Sequence, residues 1–256
     1  MPGGASHTRL KELFEKGSLW VAAPRGATTT AEVPRTDKRE QHRAPFLDFN
    51  SGTIHEWSSD TFTPLSILSY LASIHARKEV SSSPWGTPHQ TKAVIWIGKA
   101  VWPTPFLLHA AFSEEQKKRC ICLDVSEQRT AEWTIEKVLA SRSVGVVICD
   151  LPRLSFQASR RFAIAAKKGG TLGFFIRPER SLASSTVSTS KWHISAHPSS
   201  NLSPSWKIEL LKMKGPEPQA REWIVECEYE EKLSLSVLPS LVSEHSREEL
   251  PQKQFG

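Results

Sequence analysis

From Asn50 to Ser66 the chain reads NSGTIHEWSSDTFTPLS, the layout of a strand, a turn and the start of a helix. A phosphate-binding loop at such a turn needs glycines, so that backbone N–H groups can approach the phosphates. It also needs a lysine for the outer phosphates and a serine or threonine for magnesium. The turn from Ser58 to Ser66 holds no glycine and no lysine. Nucleophile chemistry finds no better footing, since no G-x-S-x-G marks a strained serine turn. The four cysteines are Cys120, Cys122, Cys149 and Cys227, and the nine histidines form no H-E-x-x-H. Without paired zinc spacing, buried free thiols are expected, with no metal and no cofactor.

Charge gives a different kind of signal. The chain of 256 residues has a formal net charge of +6. Between Leu151 and Arg180 stand seven bases (Arg153, Arg160, Arg161, Lys167, Lys168, Arg177 and Arg180) against the single acid Glu179. From Glu217 to Glu249 the balance reverses to nine acids against three bases. An anion-binding middle and an ordinary solvated helix face both fit this asymmetry. On a helix from Phe156 to Lys168, the side chains of Arg160, Arg161, Lys167 and Lys168 fall within about 120° of one another. Lys167 and Lys168 also suit a helix C-terminus, where they complement its dipole.

The elements that must position these residues follow from periodicity. Hydrophobic residues make up 39% and charged residues 23%, the usage of an ordinary globular protein, and no apolar run is long enough to span a membrane. With no secretory leader in evidence, a cytoplasmic protein is expected. Residues 8–16 place Leu10, Leu13 and Phe14 on one stripe of a short helix, in an N-terminal segment 1–23. Residues 24–49 are polar and rich in Pro, Thr and Arg, which predicts a linker. A main domain is expected over 50–242 and a polar tail over 243–256.

Within that domain strands are predicted at Thr53–Trp57, Ala93–Ile97, Cys120–Leu123, Val144–Asp150 and Leu172–Ile176. Helices are predicted at 65–76, 104–117, 127–141 and 155–168. Such alternation gives an α/β fold with a doubly wound, mostly parallel sheet. Period-two strands at Lys207–Lys212 and Trp223–Tyr229 would extend it as an antiparallel meander. Trp96 and Trp223 are expected in the core, with Trp20, Trp57, Trp85 and Trp102 near turns. Asp150 is expected to cap the turn before Pro152.

The order of these features resembles the RecA-like recombinases, and among them the ImuA branch, accessory proteins encoded with a damage-inducible mutagenic polymerase in bacteria. Gly52-Thr53-Ile54-His55-Glu56-Trp57 fits the family's first strand, G-x-I-x-E-hydrophobic. The family's loop lysine then falls on Leu65, its preceding glycine on Pro64 and its magnesium-binding hydroxyl on Ser66. The glutamate that activates water falls on Gly98, and the glutamine that senses the γ-phosphate falls on Pro178. Val146–Asp150 keeps a Walker-B-like strand. The runs Gly169–Pro178 and Trp206–Pro216 are also similar to ImuA proteins, with Lys212 and Lys214 in place of a basic pair.

The resemblance implies a RecA-like, doubly wound core with a C-terminal antiparallel extension and a short N-terminal helix. It implies a non-catalytic adaptor in the bacterial DNA-damage response, supporting translesion synthesis. The implied partners are RecA, a Y-family-like polymerase subunit and single-stranded DNA, with self-association through Leu10, Leu13 and Phe14. Arg153, Arg160, Arg161, Arg177 and Arg180 are the expected DNA contacts, and the Ser/Thr-rich stretch from Arg177 to Lys191 is the expected mobile DNA loop. A cell-division inhibitor like SulA and a divergent ATPase are the alternatives.

Overall fold

In a computed structural model describing residues 44–60, 64–77, 91–199, 203–216, 218 and 220–238, each apolar run read as a buried strand is one. The strands are β1 (Ile54–Ser59), β2 (Ala93–Ile97), β3 (Cys120–Leu123), β4 (Val144–Asp150) and β5 (Leu172–Ile176). They are followed by β6 (Ser190–His197), β7 (Ser205–Met213), β8 (Glu222–Tyr229) and β9 (Leu233–Leu238). All join one sheet in the order β3-β2-β4-β5-β1-β6-β7-β8-β9. Strands β3 to β6 in that order pair in parallel, and β6 to β9 form an antiparallel meander. The N-terminal helix with Leu10, Leu13 and Phe14, residues 24–43 of the linker, Trp20, Trp85, turn residues 61–63 and the tail lie outside the described residues.

The helices are α1 (Leu65–Arg77), α2 (Pro105–Ala111), α3 (Glu114–Lys117), α4 (Gln128–Leu139), α5 (Phe156–Gly169) and α6 (Glu179–Leu182). The sheet's alternating side chains divide the core in two. One cluster, with α1 and α2, gathers Trp57, Trp96, Phe174, Trp192 and Ile208. The other, with α4 and α5, gathers Ile54, Ile95, Val147, Phe162 and Phe175. Helix α5 is well specified locally. The Ser155 hydroxyl accepts from the Ala158 N–H, and Gly170 closes the helix at φ 66°. Before it, Gly169 passes so near α4 that a Cβ would sit 2.1 Å from the Leu139 carbonyl oxygen.

Several expectations change. The helix predicted over 104–117 is two, because Ser113 and Gln116 form a capping box that starts α3 afresh. The linker ends earlier than predicted. Residues 45–47 form a turn of 3-10 helix, and Phe46 is fully buried, its ring edge-on to Trp192 and Trp223. Trp57 belongs to the core rather than to a turn, stacked on Trp192 with ring centroids 5.5 Å apart. Cys149 and Cys227 are buried thiols, whereas Cys122 is exposed because β3 is the sheet's edge. Strands β6 and β9 were not anticipated. β6 carries Lys191 and His193 at buried positions, which hides its period.

Candidate functional site

In an open parallel sheet, ligands bind at the carboxyl ends of the strands. Here that edge gathers the exit of β1 at Asp60, the end of β2 at Gly98, the end of β4 at Asp150 and the segment after β5.

The positions that would handle nucleotide are filled by residues with structural partners. Leu65 packs against the first core cluster. The Ser66 side chain is buried, and its hydroxyl is met by the Cys227 thiol at 4.0 Å and by the Tyr229 phenol. Burial pushes the Cys227 thiol up to about 11, so it remains a donor. Gly98 has φ 93°, and a Cβ there would approach that of Asp150 at 3.2 Å. Pro178 precedes α6 as its N-cap residue. Asp150 is half-buried, and desolvation raises its carboxyl above the ordinary range. No described backbone N–H is capped by Asp150, which corrects the turn-capping expectation.

The five arginines separate into three groups. Arg153, Arg160 and Arg180 are exposed. Arg161 is committed to α4, with Nη2 3.1 Å from Glu132 and Nε 3.6 Å from Glu136. Arg177 is a correction: only 4% exposed, it turns inward and pairs with the carboxylate of Glu56. A guanidinium held there cannot meet a phosphate. Lys167 and Lys168 are exposed in the last turn of α5, at the opposite edge.

The stretch after Arg177 is correspondingly no free loop. Glu56, fully buried, also accepts from the hydroxyls of Thr186 and Ser188, the latter at 2.5 Å. Arg177 Nη2 donates to Ser184 Oγ at 3.2 Å. Lys191 Nζ lies 3.9 Å from Glu56 and donates to the carbonyls of Leu182 and Ser184, both at 2.6 Å. Burial lowers the Lys191 ammonium's pKa, with the Glu56 charge opposing that shift. The Ser/Thr-rich composition that suggested mobility instead supplies donors to a buried carboxylate.

A constellation invisible in the sequence lies beside this network. Asp60, Glu179 and His193 each present a ligand atom, all within 4.8 Å of one another. His193 Nε2 is 3.0 Å from Asp60 Oδ1, and its Nδ1 is 2.8 Å from Ser58 Oγ. Their separation along the chain hides them from any spacing rule.

No protein-family model and no curated protein sequence matches the chain. Among solved structures it is similar to the RadB recombinase, with TM-score 0.50 and 10% identity, over 72% of this chain and 90% of that one. The chain has a RecA-like fold. That RecA-like core spans the parallel strands and the antiparallel extension, as the sequence resemblance implied. No helix among the described residues is long and apolar enough to cross a membrane.

Proposed function

We propose that this protein is a non-catalytic adaptor with a RecA-like fold, acting in the bacterial DNA-damage response. It supports mutagenic synthesis past lesions through contacts with RecA, a Y-family-like polymerase subunit and single-stranded DNA. The observation that carries this reading is what stands where nucleotide chemistry would be done. Phosphoryl transfer depends on positioned positive charge and metal. Leu65, Gly98 and Pro178 supply neither, and the Ser66 hydroxyl is already engaged by Cys227 and Tyr229.

The exposed surface supports the binding part of the reading. Arg153 and Arg160 flank Phe156, whose ring is 51% exposed at the start of α5. Basic groups interleaved with an accessible ring suit single-stranded DNA, whose bases stack while its phosphates pair. Arg180 adds charge at the same sheet edge. On α4 and α5, Trp133 and Ile164 are more than 60% exposed, an apolar surface of the kind that anchors protein contacts.

The test uses purified full-length protein. It should bind RecA and single-stranded DNA while binding no fluorescent ATP analogue and releasing no phosphate from ATP. Changing Trp133 and Ile164 to Ala should weaken the protein contact without lowering the melting temperature. DNA-stimulated ATP turnover that disappears in Asp150→Asn would replace this reading with a divergent ATPase. Failure to bind DNA together with retained protein binding would favour an inhibitor of the SulA kind.

A further inference from the structure

We propose that the sheet edge opposite the candidate site, where Arg77, Lys92, Arg119, Arg142, Lys167 and Lys168 come together, binds the phosphate backbone of duplex DNA without reading its sequence. Strand register sets these cations in a row. The Ala93 N–H donates to the Ser143 carbonyl at 2.9 Å, and the Val94 N–H donates to the Arg119 carbonyl at 3.1 Å. Lys92, at the entry to β2, therefore lies between Arg119 at the entry to β3 and Arg142 just before β4. Gly145 leaves room for the Lys92 side chain to cross β4. A Cβ there would stand 3.0 Å from Lys92 Cβ and 3.7 Å from the Cα of Ala76, the neighbour of Arg77. The ammonium ends near β5, where a Cβ on Gly170 would be 4.0 Å from Lys92 Nζ. Lys167 and Lys168 precede that glycine in the last turn of α5.

Two observations point to an extended anion. The first is that the row lacks acids: residues 91–93, 117–119, 140–143 and 167–171 contain none. Glu114 and Glu115 on α3 are paired with Lys117 and Lys118, and Glu115 also acts on Arg119 at longer range. Arg77, Arg142, Lys167 and Lys168 are exposed, and no carboxylate among the described residues forms an ion pair with them. The second is Lys92, half-buried among these cations, where burial lowers its pKa. Cations gathered in this way repel one another, and a bound polyanion offsets that cost. Helix carboxyl ends favour cations, which accounts for Arg77, Lys167 and Lys168. It does not account for Lys92 and Arg142, which stand at the entries of strands.

The shape of the row favours a duplex. Strands about 4.8 Å apart place the entries of β3 and β5, three steps apart in the sheet, about 14 Å from each other. Each strand of a duplex advances about 3.4 Å per phosphate, so about four phosphates span the row. None of the four stretches holds an aromatic ring or a large apolar side chain. The bases of a single strand find nothing there to stack on, and a bilayer finds nothing to take in. A duplex presents its phosphates with the bases already stacked. The inference stands independently of the adaptor reading, since it concerns the other edge of the sheet and requires neither RecA nor a single strand.

The test is fluorescence anisotropy of short blunt-ended duplexes of unrelated sequence, titrated with full-length protein over a range of salt concentrations. We expect binding that does not depend on the sequence. Arg142→Gln, Lys167→Gln and Lys168→Gln together alter exposed side chains, so the melting temperature should hold. The slope of log affinity against log salt should fall in this triple variant by about 2.7, at roughly 0.9 per duplex phosphate contact. Arg153→Ala with Arg180→Ala should bind duplex as the parent does, which separates this edge from the one read as taking single-stranded DNA. Absence of duplex binding overturns the proposal, and capture by phosphatidylserine vesicles in its place would assign the row to a membrane surface. A parental slope in the triple variant overturns it too, as does loss of duplex binding in the Arg153 and Arg180 variant.

Discussion

Glu56 and Arg177 meet inside the protein, carboxylate against guanidinium, although 121 residues separate them along the chain. Their side chains are 0% and 2% exposed. A pair at this depth is sustained because most of its remaining valences are filled: Thr186 and Ser188 donate to the carboxylate and Ser184 accepts from the guanidinium, while Arg177 Nε alone of these groups is buried without a partner among the described residues. Removing one partner leaves the other charged in a poorly solvated interior.

Arg177→Ala should therefore lower folding stability by about 3–5 kcal/mol, read from urea denaturation. The DNA affinity of the folded fraction should not change. A variant of normal stability that has lost DNA binding would reject the interior role.

His55 predicts a pH dependence. Burial, assisted by the neighbouring His75, lowers its pKa from 6.5 to about 3. The hydrogen bonds around the neutral ring fit one tautomer. Trp192 Nε1 donates to Ser190 Oγ, and Thr53 Oγ1 donates to the Asn50 carbonyl. Ser190 therefore donates to Nδ1 and Nε2–H donates to Thr53, at 2.6 and 2.8 Å. The folded state thus binds fewer protons than the unfolded one, and the stabilisation is complete above pH 6.5 and lost as pH falls towards about 3. Within that window His55 should contribute a slope approaching about 1.4 kcal/mol per pH unit. Comparing His55→Gln with the parent by denaturation between pH 7 and pH 4 checks this. An identical slope in both would exclude His55 as the source.

Gly98 predicts the cost of restoring a glutamate. Its φ of 93° suits glycine, and a Cβ would crowd Asp150. Gly98→Ala and Gly98→Glu should each cost about 1–3 kcal/mol. Neither should release phosphate from ATP. Unchanged melting temperatures would show that the backbone there accepts a side chain.

Arg153 and Arg180 predict a change in salt dependence. If both contact phosphates, the double alanine variant should reduce the slope of log affinity against log salt by about 1.4, at roughly 0.7 per single-strand contact. Arg161→Ala should leave the slope near the parental value, because its guanidinium is held by Glu132 and Glu136. An unchanged slope in the double variant would remove both arginines from the DNA interface.

The parallel strands were legible because a strand buried on both faces must be apolar throughout, as Val144–Cys149 is. Strand β6 was illegible for the opposite reason. Its inward Lys191 is stabilised by carbonyls and by Glu56, partners that exist only once the chain is folded. Charge counting placed Arg153, Arg160, Arg161 and Arg180 in the basic segment, but could not distinguish a paired arginine from a free surface one. The same blindness misassigned Arg177, whose partner is on β1. The Asp60, Glu179 and His193 cluster depends on register, His193 lying opposite Ser58, which no linear spacing encodes.

The strand order also governs when the molecule can come together. β1 is the first strand described in the chain yet lies between β5 and β6, with Ile54 beside Gly173 and His55 beside Ser190. During synthesis it must wait for more than a hundred residues before either neighbour exists. Until then Glu56 has none of its donors and both edges of the strand are open. Closing so long a loop comes before the contacts that reward it, which makes folding slow and the early chain prone to wrong pairing. A nascent chain ending before Ser190 would leave β1 half-paired, with Glu56 lacking its β6 lysine.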